Sequence, residues 1–166
     1  AVGVNPVAVA LSPGGDRAYV TNADDDTVSV IDTATNTVIT TIAVGDTPVA
    51  VAVSPDGKRV SVANADSSDV STIDTTTNAV TGSPIPVGLY PSAIAVTPDG
   101  SRGYVTNAGS NTVSVLAFQP SPPRSVTAPA GDAQVSVTWS VPDFTGGEPI
   151  TGYTAKAAPG GSSCTT

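Results

Sequence analysis

The sequence predicts an all-β chain: a partial propeller of about three four-stranded blades, followed by an incomplete β-sandwich. Three observations carry this prediction. The 166 residues are rich in Val and Thr but hold no Met and a single Glu, Glu148, so straight-chain helix formers are scarce and strand formers abound. A segment of about nine residues returns twice at nearly equal spacing, the mark of a repeat architecture. Short alternating apolar runs are each bounded by Gly, Pro, Asn or Asp, which is how strands and their turns read.

The repeat opens with Asn5 to Pro13, which returns as Thr47 to Pro55 and Tyr90 to Pro98. These are first strands, and Pro13, Pro55 and Pro98 end them because a proline has no N–H for the ladder. Gly14-Gly15, Asp56-Gly57 and Asp99-Gly100 then supply the positive φ of a tight turn. Second strands follow, ending in Asn22, Asn64 and Asn107; the third strands are Thr27 to Ile31, Asp69 to Ile73 and Thr112 to Leu116. Two copies continue through Asp32 to Asn36 and Asp74 to Asn78 into a fourth strand, Thr37 to Val44 and Ala79 to Val87, the latter interrupted at Gly82-Ser83-Pro84. Four strands in roughly 40 to 45 residues make one propeller blade. The blades are expected near 2–43, 44–86 and 87–118, with Val7, Val9 and Leu11 facing a neighbouring blade.

The third copy goes from its third strand straight into Gln119 to Arg124, a Pro-rich stretch that reads as a semi-rigid linker over 120–125. Beyond it Gln134 to Trp139 alternates, with Val135, Val137 and Trp139 on the apolar face; Pro142 to Pro149 reads as a turn, and Ile150 to Ala157 alternates again. Residues 1–119 and 126–166 are therefore expected to be separate units.

Tyr19-Val20-Thr21-Asn22 and Tyr104-Val105-Thr106-Asn107 resemble the signature of YVTN-family β-propeller repeats, common in surface-layer proteins; the middle copy keeps only the strand pattern, as Ser61-Val62-Ala63-Asn64. The second unit resembles the opening strands of a bacterial fibronectin type III domain, with Trp139 and Tyr153 on its second and third strands. Together these resemblances imply a secreted or cell-surface protein, and a structural disulfide from Cys164 to a cysteine outside the chain. The chain is read as a portion of something longer.

Chemistry is sparse. There is no His, which excludes a Ser-His-Asp triad, a Cys-His dyad and His-ligated zinc within these residues. The net charge is −8 and the six basic residues are scattered, so no patch would neutralise a phosphate backbone and nucleic acid is not an expected partner. No apolar run approaches the roughly 20 residues of a membrane-spanning helix, and membrane insertion is not expected either. Asp24-Asp25-Asp26 is the densest acidic cluster; it is a weak candidate for a hard cation and reads first as a solvated turn. Asp32 and Asp74 read as turn caps, and Asn22, Asn64 and Asn107 as strand-end residues bonding to nearby backbone. No cofactor is expected. The leading expectation is a non-catalytic scaffold whose propeller face binds a protein or carbohydrate ligand at the cell surface. The alternative is a lactonase-like or lyase-like propeller, or a polysaccharide hydrolase, with its catalytic residues outside this chain.

Overall fold

The computed structural model describes residues 1–118, 123–128, 137–140, 152–156 and 163–165, and no helix occurs among them. The chain divides into two compact units, Ala1–Phe118 and Gln119–Thr166.

In the first unit, β1 (Pro6–Leu11), β2 (Arg17–Asn22), β3 (Thr27–Asp32) and β4 (Thr37–Ala43) form a four-stranded antiparallel meander. The second blade is β5 (Pro48–Val53), β6 (Arg59–Asn64) and β7 (Asp69–Asp74), with the expected fourth strand split into β8 (Ala79–Val80) and β9 (Ile85–Pro86), both paired to β7. The split falls where Gly82, at φ +71°, and Pro84 interrupt the ladder. The third blade is β10 (Pro91–Val96), β11 (Arg102–Asn107) and β12 (Thr112–Ala117). It has three strands among the described residues, not the four expected of a blade, because the chain after Phe118 lacks the Asp-Thr-x-Thr-Asn turn that returns the other two repeats.

Each turn is set by its own residues. Between the first and second strands, the hydroxyls of Ser12, Ser54 and Thr97 accept the N–H of Arg17, Arg59 and Arg102 at 3.0 Å, while Gly15, Gly57 and Gly100 take φ of +72° to +75°. Between the third and fourth, Asp32 Oδ1 accepts the N–H of Ala34 and Thr35, and Asp74 Oδ1 those of Thr76 and Thr77, so both are the turn caps expected. Asn36 and Asn78 finish these turns at positive φ, which asparagine tolerates.

The core lies between blades rather than within them. Tyr19, Val28, Val30 and Ile42 on one face of the first blade meet Val60, Val62 and Ile73 on the facing side of the second, with Val51 and Val53 completing the layer. Strand alternation assigns the faces: Val51 pairs with Val62 and Val53 with Val60, so all four share the side toward the first blade. The matching residues Val7, Val9 and Leu11 of β1 were expected against a neighbouring blade but are exposed, because that side of the first blade has no neighbour among the described residues.

The second unit contains two antiparallel pairs, β13 (Arg124–Thr127) with β14 (Thr138–Ser140) and β15 (Thr154–Lys156) with β16 (Ser163–Thr165). β13 starts inside the expected 120–125 linker, since Ser121-Pro122-Pro123 ends the proline run and Arg124 to Thr127 is free to donate to a ladder. Val135 and the Pro142–Pro149 turn lie outside the described residues.

Candidate functional site

Three polar features recur around the blades. The first is a buried hub at each strand-end asparagine. Asn22 Nδ2 donates to Thr27 Oγ1 at 3.0 Å and Ser29 Oγ at 2.9 Å, and its Oδ1 accepts the N–H of Gly3 at 3.1 Å. Asn64 repeats this with Asp69 at 2.7 Å and Ser71 at 2.9 Å, and Asn107 with Thr112 at 3.1 Å and Ser114 at 3.0 Å. The expected local backbone bond is thus corrected: the amide N–H groups reach side chains on the next strand. The reason is register, because Asn22 lies opposite Thr27 and the side chain two residues further on falls on the same face. Gly45 and Gly88, the counterparts of Gly3, donate instead to Ser71 Oγ and Ser114 Oγ at 3.3 Å. A Cβ at Gly45 would sit 2.6 Å from Asn64 Nδ2, which is why the approaching segment carries glycine there. The Thr/Asp-x-Ser pattern and the repeated Val-Gly were the sequence signals for this hub.

The second feature is the acidic turn. Asp24 Oδ1 accepts Asn5 Nδ2 at 3.0 Å, Asp25 Oδ2 the N–H of Val4 at 2.6 Å, and Asp26 Oδ1 the N–H of Thr47 at 2.8 Å. The three carboxylates diverge, each fastening a connecting segment to the blade. Asp66 and Ser67 do the same one blade on, accepting Thr47 Oγ1 and the N–H of Asp46. No group of three or more metal-type ligands occurs among the described residues.

The third lies at the opposite ends of the strands: a polar cleft of about 350 Å³ between the first two blades, lined by Ser12, Asp16, Arg17, Asp56, Gly57 and Thr75 among others. Arg17 stays on its own blade by pairing with Asp32 at 2.9 Å, which leaves the cleft open. The Ser12 hydroxyl holds the Asp16 carboxyl below its usual range, and the Thr35 N–H, then its hydroxyl, do so for Asp32, with Arg17 adding to the effect. Both therefore stay ionised at neutral pH.

The corresponding place between the second and third blades is filled. Arg59 Nη2 donates to the Gly100 carbonyl at 3.1 Å, and its guanidinium carbon stands 3.6 Å from the centre of the Phe118 ring. Burial pushes the Arg59 pKa down to about 10, still well above neutral. Phe118 occupies the position of Thr33 and Thr75, whose hydroxyls donate to Gly15 O and Gly57 O, and Gly103 makes room for it: a Cβ there would lie 3.0 Å from the ring. Neither Arg59 nor Phe118 was picked out from the sequence, where only the Phe for Thr exchange could have signalled the plug.

Tyr19 is buried in the first interblade layer, where burial raises its phenol pKa, whereas Tyr104 is exposed on the third blade. In the second unit the Trp139 and Tyr153 rings stand 5.1 Å apart at 54°, beside a cavity of about 190 Å³ bordered by Val126 and Val137. Cys164 lies on β16 opposite Ala155; its side chain is outside the described residues.

Sheets of three to five strands, packed face to face in chain order and held by the same polar hub, define a β-propeller. Comparison with known families makes this particular: the YNCE-like β-propeller family matches residues 4–116, and the chain belongs to it. Among solved structures, Kuenenia stuttgartiensis hydrazine synthase is similar at 32% identity and a TM-score of 0.65, over 70% of this chain and 34% of that one. A functionally unknown protein from Desulfotomaculum acetoxidans is 24% identical with a TM-score of 0.64, over 71% of this chain and 39% of its own. A Bacteroides fragilis protein described as a 6-phosphogluconolactonase is 21% identical with a TM-score of 0.58, over 86% and 41%. The chain thus spans well under half the length of each. No curated protein sequence matches.

Proposed function

We propose that the chain is part of a non-catalytic, secreted or cell-surface scaffold whose propeller presents a face to a protein or carbohydrate ligand. The second unit serves as a fibronectin type III-like spacer, as in surface-layer-type proteins. The observation that carries the reading is the open cleft between the first two blades. Its volume is that of a small-ligand pocket, and a guanidinium and two carboxylates line it. Such groups suit the hydroxyls of a carbohydrate, donating from Arg17 and accepting at Asp16 and Asp56. The acidic turn supports a scaffold too, since its carboxylates fasten the Val4-Asn5 segment and the N–H of Thr47 to the blade. The Trp139–Tyr153 contact supports the fibronectin-like reading of the second unit.

Calorimetric titration of the full chain with neutral and acidic oligosaccharides tests this. Binding that weakens at least tenfold in Asp56→Ala, with the thermal transition preserved, is expected; absence of binding to every oligosaccharide at millimolar concentration would overturn the carbohydrate reading. A second reading, an enzyme whose catalytic residues lie on further blades, draws on the Bacteroides fragilis neighbour's description, and lactone hydrolysis by the purified chain would favour it.

A further inference from the structure

The cleft between the first two blades contains a group that the fold does not use. Both of its walls belong to this chain, and Ser12, Asp16, Arg17, Tyr19, Asp56 and Thr75 are among the residues that line it. Tyr19 is 2% exposed, and its ring packs with Val28, Val30, Val60 and Val62 in the interblade layer. Its hydroxyl makes no hydrogen bond among the described residues. The charges that act on it are those of Arg17 and Asp16, both residues of the cleft wall, which puts the phenol oxygen on the cleft side of the ring. Burial raises its pKa, so it stays an O–H at neutral pH, able to accept as well as donate. A buried hydroxyl without a partner costs stability, and here a ligand atom can satisfy it. Negative charge is in excess around it. Asp16 and Asp56 line the cleft, while Arg17, the cation among the lining residues, is already paired with Asp32 at 2.9 Å. Asp16 Oδ1 accepts the Ser12 hydroxyl at 2.6 Å, and Asp56 Oδ1 the Ser54 hydroxyl at 2.6 Å and the Lys58 N–H at 3.1 Å, so Oδ2 of each remains to accept from a ligand.

Resting on the carbohydrate reading above, we propose that the cleft selects an amino sugar, whose ammonium group is bound by the Asp16 and Asp56 carboxylates and the Tyr19 hydroxyl oxygen. An ammonium brings three N–H donors and a positive charge, and meets three acceptors there, two of them charged. A sugar hydroxyl at the same point brings one donor and no charge. An N-acetyl group leaves one N–H and removes the charge, and a uronic acid brings a like charge against the two carboxylates. The rest of the lining favours a sugar over an aliphatic amine, because the hydroxyls of Ser12 and Thr75 and the Arg17 guanidinium stand where a methylene stem would need apolar walls.

The test is calorimetric titration of the full chain at about pH 6, where sugar amines are protonated and carboxylates ionised. The probes are oligomers of equal length of glucosamine, N-acetylglucosamine, glucose and galacturonic acid. The glucosamine oligomer is expected to bind at least tenfold more tightly than the other three. Tyr19→Phe removes the hydroxyl alone and should weaken glucosamine binding at least tenfold, while the melting temperature stays at or above that of wild type because the hydroxyl bonds nothing in the fold. A chain of net charge −8 attracts cations over its whole surface, so this variant, which changes no charge, separates the cleft from that background. Tyr104→Phe, the same change at the exposed counterpart on the third blade, should leave the affinity as it is. Equal binding of the glucosamine and glucose oligomers overturns the proposal and leaves the carbohydrate reading standing. A glucosamine preference that survives Tyr19→Phe belongs to the surface charge and overturns the proposal as well, and absence of binding to all four oligomers overturns both.

Discussion

The plug between the second and third blades can be weighed by a double-mutant cycle on Arg59 and Phe118. Phe118→Leu keeps an apolar side chain against Gly103 but removes the ring face, and Arg59→Met keeps the stem but removes the charge and the donor to Gly100 O. A desolvated cation over an aromatic face is worth about 2 kcal/mol, and an exposed one about 0.5 to 1 kcal/mol. Arg59 is more than half buried and Phe118 is buried, so the coupling between them should be about 1 to 2 kcal/mol. Phe118→Leu alone should cost about 2 kcal/mol once imperfect refilling beside Gly103 is added. For a unit of this size that is a fall of roughly 5 to 12 °C in the melting temperature. Urea unfolding followed by far-ultraviolet circular dichroism gives the four stabilities of the cycle. A coupling below about 0.3 kcal/mol would show that Arg59 merely lies near the ring, and the plug would reduce to Phe118 packing alone.

Other outcomes follow from the hub, the turns and the acid groups. Asn64→Ala leaves Ser71 and Asp69 without their donor in a buried place and should cost about 2 to 4 kcal/mol by chemical denaturation. Gly45→Ala drives a methyl into Asn64 and Ser67 and should cost about 1 to 3 kcal/mol, more than Gly15→Ala, which meets open space and suffers only its positive φ. Asp16, Asp32 and Asp99 have folded pKa values depressed chiefly by Ser12, Thr35 and Thr97, so they stabilise the fold above the unfolded carboxylate value of about 3.9, and this is lost as pH falls through the lower folded values. An acid titration of the melting temperature should therefore drop below about pH 4, and less steeply in Asp32→Ala. Millimolar calcium should leave the melting temperature unchanged, because the carboxylates of Asp24 and Asp25 are engaged by the Val4-Asn5 segment and that of Asp26 by Thr47; a rise of several degrees abolished by Asp25→Ala would refute this.

Much of the fold was legible because strand period and turn chemistry act locally. The prolines after each first strand, the Asp-Thr-x-Thr-Asn turns and the Gly-Ser-Pro break located elements to within a residue or two, and the family match, over residues 4–116, covers the same repeats. What sequence reasoning missed depended on contacts between strands and blades. Asn22, Asn64 and Asn107 were noticed, yet their partners lie five and seven residues on, and only the antiparallel register brings those hydroxyls to the amide. Arg59 was invisible for a different reason. Register places it opposite Asp74 just as it places Arg17 opposite Asp32, while the neighbouring blade's Phe118 ring and Gly100 carbonyl hold its guanidinium. Val9 shows a third case, because alternation assigned its face correctly while occupancy of that face depends on what stands next to the blade.

The asparagine hub has a bearing on how such a protein comes to have its number of blades. Everything the second hub needs lies between Gly45 and Ser71, inside one repeat, so a duplicated stretch of gene brings its own lock and requires nothing of its neighbours. The faces that meet between blades demand only that valines and a tyrosine recur in register. A blade can therefore be gained or lost whole, and the middle copy, with Ser61 where the others have tyrosine, marks how far a face can drift while the lock beneath it is kept.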